Sequence, residues 1–357
     1  MSTPVDRMDT PAVLIDLRVA RRNIERYQDY CDEHGLALRP HVKTHKLPRL
    51  ARLQLDAGAV GIVAQKVSEA EAMVDSGLGI DDVLITYNVL GETKLERLVA
   101  LAGRTRALSV VADNPETVDG LAGAFGDAER ALPVLVECDT GAARNGVQTP
   151  TDAVSLARRI DAARGLAFAG LMTYPPVGGG TAVAAFVAEA RASLDEAGLP
   201  CPIVSSGGSP DMWRAHETAG VTEVRIGTYV YNDRSLVERG TCTEGDCALH
   251  VLATVASVPA RGRAVIDAGS KALTSDLFGL EGYGRVSGHP TVRVASLSEE
   301  HGVLRWDDGS APFAVGDRVR VLPNHACPVT NLFDAVWLTE DGETAEPEPV
   351  AARGTVT

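Results

Sequence analysis

Short apolar, β-branched runs alternate with longer segments of helical period through the first two thirds of the chain. The runs that predict strands are 37–41, 60–64, 82–86, 108–112, 133–137, 167–172, 202–206 and 222–226. Between them, 67–77, 149–163 and 182–198 repeat apolar residues at helical spacing, with Ser68 and the Thr151–Asp152 pair as expected caps. Eight strands, each followed by a helix, predict an α/β fold built as a (β/α)8 barrel. No GxGxxG follows an early strand, which disfavours a doubly wound dinucleotide-binding sheet.

After about residue 240 the period shortens. ALHVLATVASVPARGRAVIDAG, TVRVASLSEEHGVLRW and DRVRVLPNH alternate apolar and polar residues, with Gly, Pro and Asp at the breaks. This predicts an antiparallel β-domain, a small barrel or a sandwich. The division is thus a barrel over 10–238 and a β-domain over 239–357, with the early run 12–16 (AVLID) able to pair with the latter. The stretch from about 340, acidic and Pro-containing, is expected to be loosely held.

Composition narrows the function classes. Among 357 residues, 45% are hydrophobic and 23% charged, which supports a buried core. Lys plus Arg number 34 against 48 acidic residues, and the net charge of −14 argues against a nucleic-acid partner and for a small-molecule one. No stretch approaches the roughly 18 apolar residues of a membrane span, and MSTPVDRMDTP lacks the pattern of a secretory signal. Six scattered cysteines without a CxxC pair read as reduced thiols, so a cytoplasmic location is expected.

In a barrel of this kind the chemistry collects at the C-terminal ends of the strands. There the chain places His41, Lys43, His45 and Lys46, then Gln65 and Lys66, then Asp113, Arg144, Tyr174 and the Ser206–Gly207–Gly208–Ser209 loop. That loop, before a helix expected near Asp211, has the form of a phosphate cradle. Asp113 reads as the cap of the following helix. Lys43, between two histidines, is placed for a lowered pKa and Schiff-base formation, with Lys46 as its competitor and a solvated surface lysine as the plain alternative. His325 and Cys327, expected at the end of a strand and on one face of it, could converge on one metal ion; a buried histidine beside a buried cysteine is the alternative.

Six segments taken together carry a resemblance. RPHVKTHK (39–46), VECDTGAARNGV (136–147), SSGGSP (205–210), EVRIGTYVYND (223–233), IDAGSKALTSD (266–276) and PNHACPVTNLFD (323–334) resemble the D-threonine aldolase and D-serine dehydratase family. These are fold-type III pyridoxal 5′-phosphate (PLP) enzymes, distantly similar to bacterial alanine racemase. The resemblance runs from about residue 9 to 354. It implies a PLP-binding barrel, a C-terminal β-domain and a homodimer. It makes Lys43 the PLP lysine, Arg144 the contact to the phenolic oxygen and Tyr174 a residue near the ring. Gly207, Gly208 and Ser209 would hold the phosphate with Ser206, Gly227, Thr228 and Tyr229. Arg225 would face the pyridine nitrogen, His41 and Gln65 would lie near the cofactor, and Lys271 and Asp276 could reach a neighbouring subunit's site. His325 and Cys327 would be the ligands of a divalent metal, zinc by the cysteine, with Mn2+ or Mg2+ as alternatives.

The implied activity is a lyase reaction on D-β-hydroxy-α-amino acids. Retro-aldol cleavage of the D-threonine aldolase type is expected, with β-elimination of the D-serine dehydratase type as the alternative. A racemase and a non-catalytic PLP-binding protein are more distant readings. Two departures stand out: the metal pair is His-x-Cys, as in the eukaryotic D-serine dehydratases, where the better-known D-threonine aldolases carry His-x-Asp; and the family's histidine after strand six is missing, the stretch reading Thr173-Tyr174-Pro175-Pro176-Val177-Gly178-Gly179-Gly180. Lys43, Tyr174 and His45 are therefore the candidate proton-transfer groups.

Overall fold

A computed structural model of the chain describes residues 2–307 and 312–357. The chain divides into two units. One comprises Glu25–Lys43, Leu47–Gly227 and Thr355–Thr357; the other comprises Met1–Ile24, Thr44–Lys46 and Thr228–Gly354.

The first unit is the (β/α)8 barrel. Its strands are β1 (Ala37–Leu38), β2 (Ile62–Ala64), β3 (Asp82–Ile85), β4 (Ala107–Ala112), β5 (Leu132–Cys138), β6 (Leu166–Thr173), β7 (Ile203–Ser206) and β8 (Glu223–Val224). They form one parallel sheet in the order β1-β8-β7-β6-β5-β4-β3-β2. A parallel bridge from His41 to Val63 joins its two ends. All eight predicted strands are present, because each run is apolar enough to be buried on both faces.

Helices lie between successive strands as far as β7, and they start where capping chemistry allows. Thr149 accepts a hydrogen bond from Asp152 N at the start of Pro150–Ala162, and Asn114 accepts one from Thr117 N at the start of Pro115–Phe125. The expected caps Ser68, Thr151–Asp152 and Asp113 do not serve. Ser68 lies inside Val67–Val74, where its hydroxyl donates to the Thr357 carbonyl oxygen. After β7 the chain makes a 3-10 segment, Ser209–Glu217, broken at Asp211, instead of the expected α-helix.

One residue from each of five successive strands meets in the barrel interior: Val63, Leu84, Val111, Leu135 and Met172. A contact set that takes one residue from each of five neighbouring strands faces inward. Close packing here leaves no room at Gly170, which sits at a register irregularity between β5 and β6 with φ +144°. A Cβ there would lie 2.0 Å from the Ile203 carbonyl oxygen. Gly170→Ala is therefore expected to cost about 2–4 kcal/mol, read from urea unfolding.

The second unit is antiparallel β. Leu249–Ala260, Arg263–Ile266, Gly302–Arg305, Arg293–Leu297, Gly284–Val286 and Arg318–Pro323 pair in that order, and the last returns to the first, so the domain is a barrel. Ala12–Asp16 joins it as expected, antiparallel to Leu249–Ala260 and parallel to Ala335–Thr339. The stretch after 340 is better held than its composition suggested: Thr344–Pro349 is a strand paired with Ala335–Thr339. Ala345 is buried in it, between exposed Thr344 and Glu346. No helix among the described residues is long and apolar enough to cross a membrane.

Candidate active site

Lys43 lies in the 3-10 turn Val42–Thr44 that follows β1, and its side chain is exposed. Its competitor Lys46 is 7% exposed, takes a positive φ of 55° and donates from Nζ to the Ala352 carbonyl, 3.1 Å away. Of the two lysines, only Lys43 is open to a reactant. His41, just before it, accepts from Lys43 N at Nδ1 (3.4 Å), which leaves the proton on Nε2 to donate to Gln65 Oε1 at 3.0 Å. Gln65 in turn donates to the Thr86 carbonyl. The structure thus brings His41 and Gln65 together beside Lys43.

The turn after β5 positions Arg144. Asp139 accepts from Gly141 N and Ala143 N; partial burial raises its pKa, but these donors outweigh it and the pKa is lowered. Asp113 holds the same turn from the other side, accepting from Gly146 N at 2.8 Å. Gly146 is required there, since a Cβ would lie 2.3 Å from Asp139 N. Arg144 then stacks over Tyr174, its Cζ 4.7 Å from the ring centroid, and Tyr174 is 40% exposed.

Gly207 and Gly208 have separate roles. A Cβ on Gly207 would lie 2.5 Å from the Arg225 carbonyl oxygen, so this glycine allows a close backbone approach. Gly208 takes φ +143° and has open space on its Cβ side. Ser206 and Ser209 are buried around them. A cavity of about 400 Å³ opens here, lined by Tyr174, Gly207 and Gly208 among others. Its size suits a small cofactor. Lys43 and Arg225 do not line it.

Arg225 is buried in the barrel interior. It donates to Ser205 Oγ (2.9 Å) and the Thr173 carbonyl (2.9 Å) and lies 3.0 Å from Met172 Sδ. Burial pulls its pKa down to about 10, against the pull of Glu223 and then Glu137. Glu137, two residues after Leu135 and so on the same inward face, is 3% exposed. Its Oε2 has no hydrogen-bond partner among the described residues. Burial, and next the charge of Asp113, push its carboxyl up to about 7.

In the second unit, His325 and Cys327 meet, but not along a strand. Arg318–Pro323 stops at Pro323; His325 caps the helix Ala326–Leu332 and Cys327 lies in its first turn. Asp233, fully buried, fixes this corner by accepting from Ala326 N at 3.0 Å. His325 Nδ1 lies 2.8 Å from Asp276 Oδ2. Asp276 and Lys271 thus have partners in their own chain, Lys271 with Glu299 and Glu300. Cys327 Sγ is 3.2 Å from the Thr44 hydroxyl and 3.7 Å from that of Thr228.

The two groups share charge. Burial raises the Cys327 thiol, yet His325 and then Thr44 outweigh it and lower its pKa. Burial works against charge on His325, but Cys327 and then Asp276 push it up to about 9. A thiolate and an imidazole with a carboxylate on its far nitrogen is a donor set suited to a zinc-type ion. Among the described residues no group of three His, Cys, Asp or Glu side chains gathers for a metal, so the pair would leave positions open.

His45 and Tyr229 are fully buried. The His45 ring lies edge-on to Tyr231 at a centroid distance of 6.4 Å. Gly227 is buried too, and Thr228 sits against Cys327. Sequence reasoning missed Glu137, Glu223, Asp233 and Thr44, although all four lie inside motifs already singled out.

Residues 15–235 match the model of the alanine racemase N-terminal domain, and residues 248–339 match that of a serine dehydratase domain. Among curated proteins, a D-threonine aldolase of Arthrobacter sp. is 34% identical over 98% of this chain and 94% of its own. A D-threo-3-hydroxyaspartate dehydratase of Delftia sp. (strain HT23) is 35% identical over 94% of this chain and 95% of its own. Among solved structures, D-threonine aldolase from Filomicrobium marinum superposes with a TM-score of 0.91 at 34% identity, covering 100% of this chain and 99% of that one. A cysteine-to-alanine variant of D-threo-3-hydroxyaspartate dehydratase in the metal-free form has a TM-score of 0.85 at 32% identity, covering 97% and 98%.

Proposed function

The chain belongs to the alanine racemase N-terminal domain family, and from that premise we propose a PLP-dependent lyase of D-β-hydroxy-α-amino acids that cleaves Cα–Cβ, as D-threonine aldolases do. The observation that carries this reading is the end-to-end likeness to D-threonine aldolases, joined to an open Lys43 beside an ordered His41–Gln65 pair. The residues fit the cofactor: Gly208 leaves space where a side chain would intrude, and Glu137 Oε2 is a buried polar atom without a hydrogen-bond partner among the described residues.

PLP supplies an electron sink for the bond broken at Cα. Lys43 would hold it through Nζ, an amine that can also hold or move a proton there. Tyr174 and Arg144 form one planar wall of the site, from which Arg144 would bring its charge to the ring oxygen. Arg225 keeps a guanidinium buried at the barrel floor. His325 and Cys327 would hold the divalent metal, which lowers the pKa of a bound hydroxyl. Asp276 orients the His325 ring by accepting from Nδ1, so Asp276→Asn is expected to weaken zinc retention about 10- to 100-fold, measured by competition with a chromophoric chelator.

The His-x-Cys pair favours a second reading, β-elimination. It is the metal pair associated with D-serine dehydratases, and a dehydratase stands among the relatives at comparable identity. D-Threonine supplied to the PLP- and zinc-loaded protein decides between them by proton NMR. Glycine plus acetaldehyde establishes the aldolase; 2-oxobutyrate plus ammonia overturns it in favour of the dehydratase.

A further inference from the structure

The barrel interior is apolar on one side and charged on the other. Arg39 donates from Nε to Glu223 Oε2 (2.9 Å) and from Nη1 to Asp82 Oδ1 (2.6 Å), in a barrel that also buries a cluster of Val, Leu and Met. Gly61 makes room for it: a Cβ there would lie 2.1 Å from Arg39 Nη1. Glu223 uses its other oxygen to accept from Ser205 Oγ at 2.5 Å, and Ser205 Oγ accepts from Arg225. The four groups form one line of donors and acceptors ending at Arg225.

Sheet register explains the line. Glu137 pairs with Met172, Met172 with Ser205 and Ser205 with Glu223, so these four are a single row across β5, β6, β7 and β8. The Arg225 guanidinium lies over the middle of the row, touching Met172 and Ser205, with a carboxyl at each end. Apolar residues would fill this space at lower cost, since burying charges forfeits their hydration. A serine between two charged groups also fixes separation, because its short side chain has few rotamers.

We propose that Glu223, acting through Ser205, is a positioning residue for Arg225, fixing the guanidinium laterally where it would meet the cofactor ring. This rests on the reading of the barrel as a PLP site. Arg39 holds Glu223 from behind and is itself held by Asp82. Ser205 transmits the position as a hydrogen bond to Nη1, while the Thr173 carbonyl fixes Nη2.

The test uses full-length S205A, E223Q, S205T and R225K, each loaded with PLP. The readouts are the PLP dissociation constant, the absorption maximum of the bound cofactor and the melting temperature without PLP. S205A and E223Q are expected to weaken PLP about 10- to 100-fold and to shift the absorption maximum in the direction R225K shifts it. S205T, which keeps the hydroxyl, is expected to restore both. S205A leaves the Arg39–Glu223 pair intact, so it carries the test if E223Q does not fold. A lowered melting temperature in S205A with wild-type spectrum and affinity, beside a shifted R225K, overturns the proposal and leaves a structural network. A wild-type spectrum in R225K overturns the reading of Arg225 itself and the proposal with it.

Discussion

Lys43→Ala is expected to lower turnover of D-threonine by at least about 10³-fold and to abolish the absorbance of covalently bound PLP. Removing the amine removes both the anchor for the cofactor and the proton carrier at that position. The contrast is Lys46→Ala, three residues on. Lys46 is buried and tied to a carbonyl, so its loss is expected to cost about 1–3 kcal/mol of stability and leave the bound chromophore in place. Absorbance spectra and urea unfolding of the two variants separate these outcomes. Loss of colour in Lys46→Ala with colour retained in Lys43→Ala would reverse the assignment.

The second large effect is expected at Cys327. Cys327→Ala removes the thiolate donor and leaves His325 with Asp276 alone. Bound zinc is expected to fall to background, and kcat to drop about 10²- to 10³-fold, the scale of several kcal/mol of charge stabilisation. Wild-type protein treated with a chelator is expected to behave alike and to recover on zinc addition, whereas Cys327→Ala does not recover. Full activity in metal-stripped wild type, verified by elemental analysis, would remove the metal from the reaction.

Much of the barrel was legible in the sequence because buried parallel strands are short apolar runs, and all eight announce themselves in that way. The motif loops were legible for a related reason: Lys43, Arg144 and Gly207–Gly208 lie at strand ends, where barrels collect polar residues. Local geometry was harder. His325-x-Cys327 reads as strand by continuation from RVRVLP, yet Pro323 ends that strand and Asp233, about ninety residues away, bends the chain by capturing Ala326 N. The segment after Gly208 reads as a helix start, but Pro210 and the break at Asp211 leave a 3-10 turn. Least legible was the charged row. Glu223 opens one strand of only two residues and Arg39 follows another, where polar positions look like surface, and their burial depends on strands paired from distant parts of the chain.

Three buried residues, Thr44, His45 and Lys46, follow Lys43 directly, and Lys46 is fastened through both its Nζ and its carbonyl to Ala352. The two partners are 306 positions apart. A ribosome adding about 5–20 residues per second needs on the order of 15–60 s to make that interval. Throughout that time the segment next to the reactive lysine lacks its fastening. Cofactor capture in its final geometry is therefore an event of the finished chain, and an early aldehyde adduct on the nascent lysine would have to survive the later docking of Ala352.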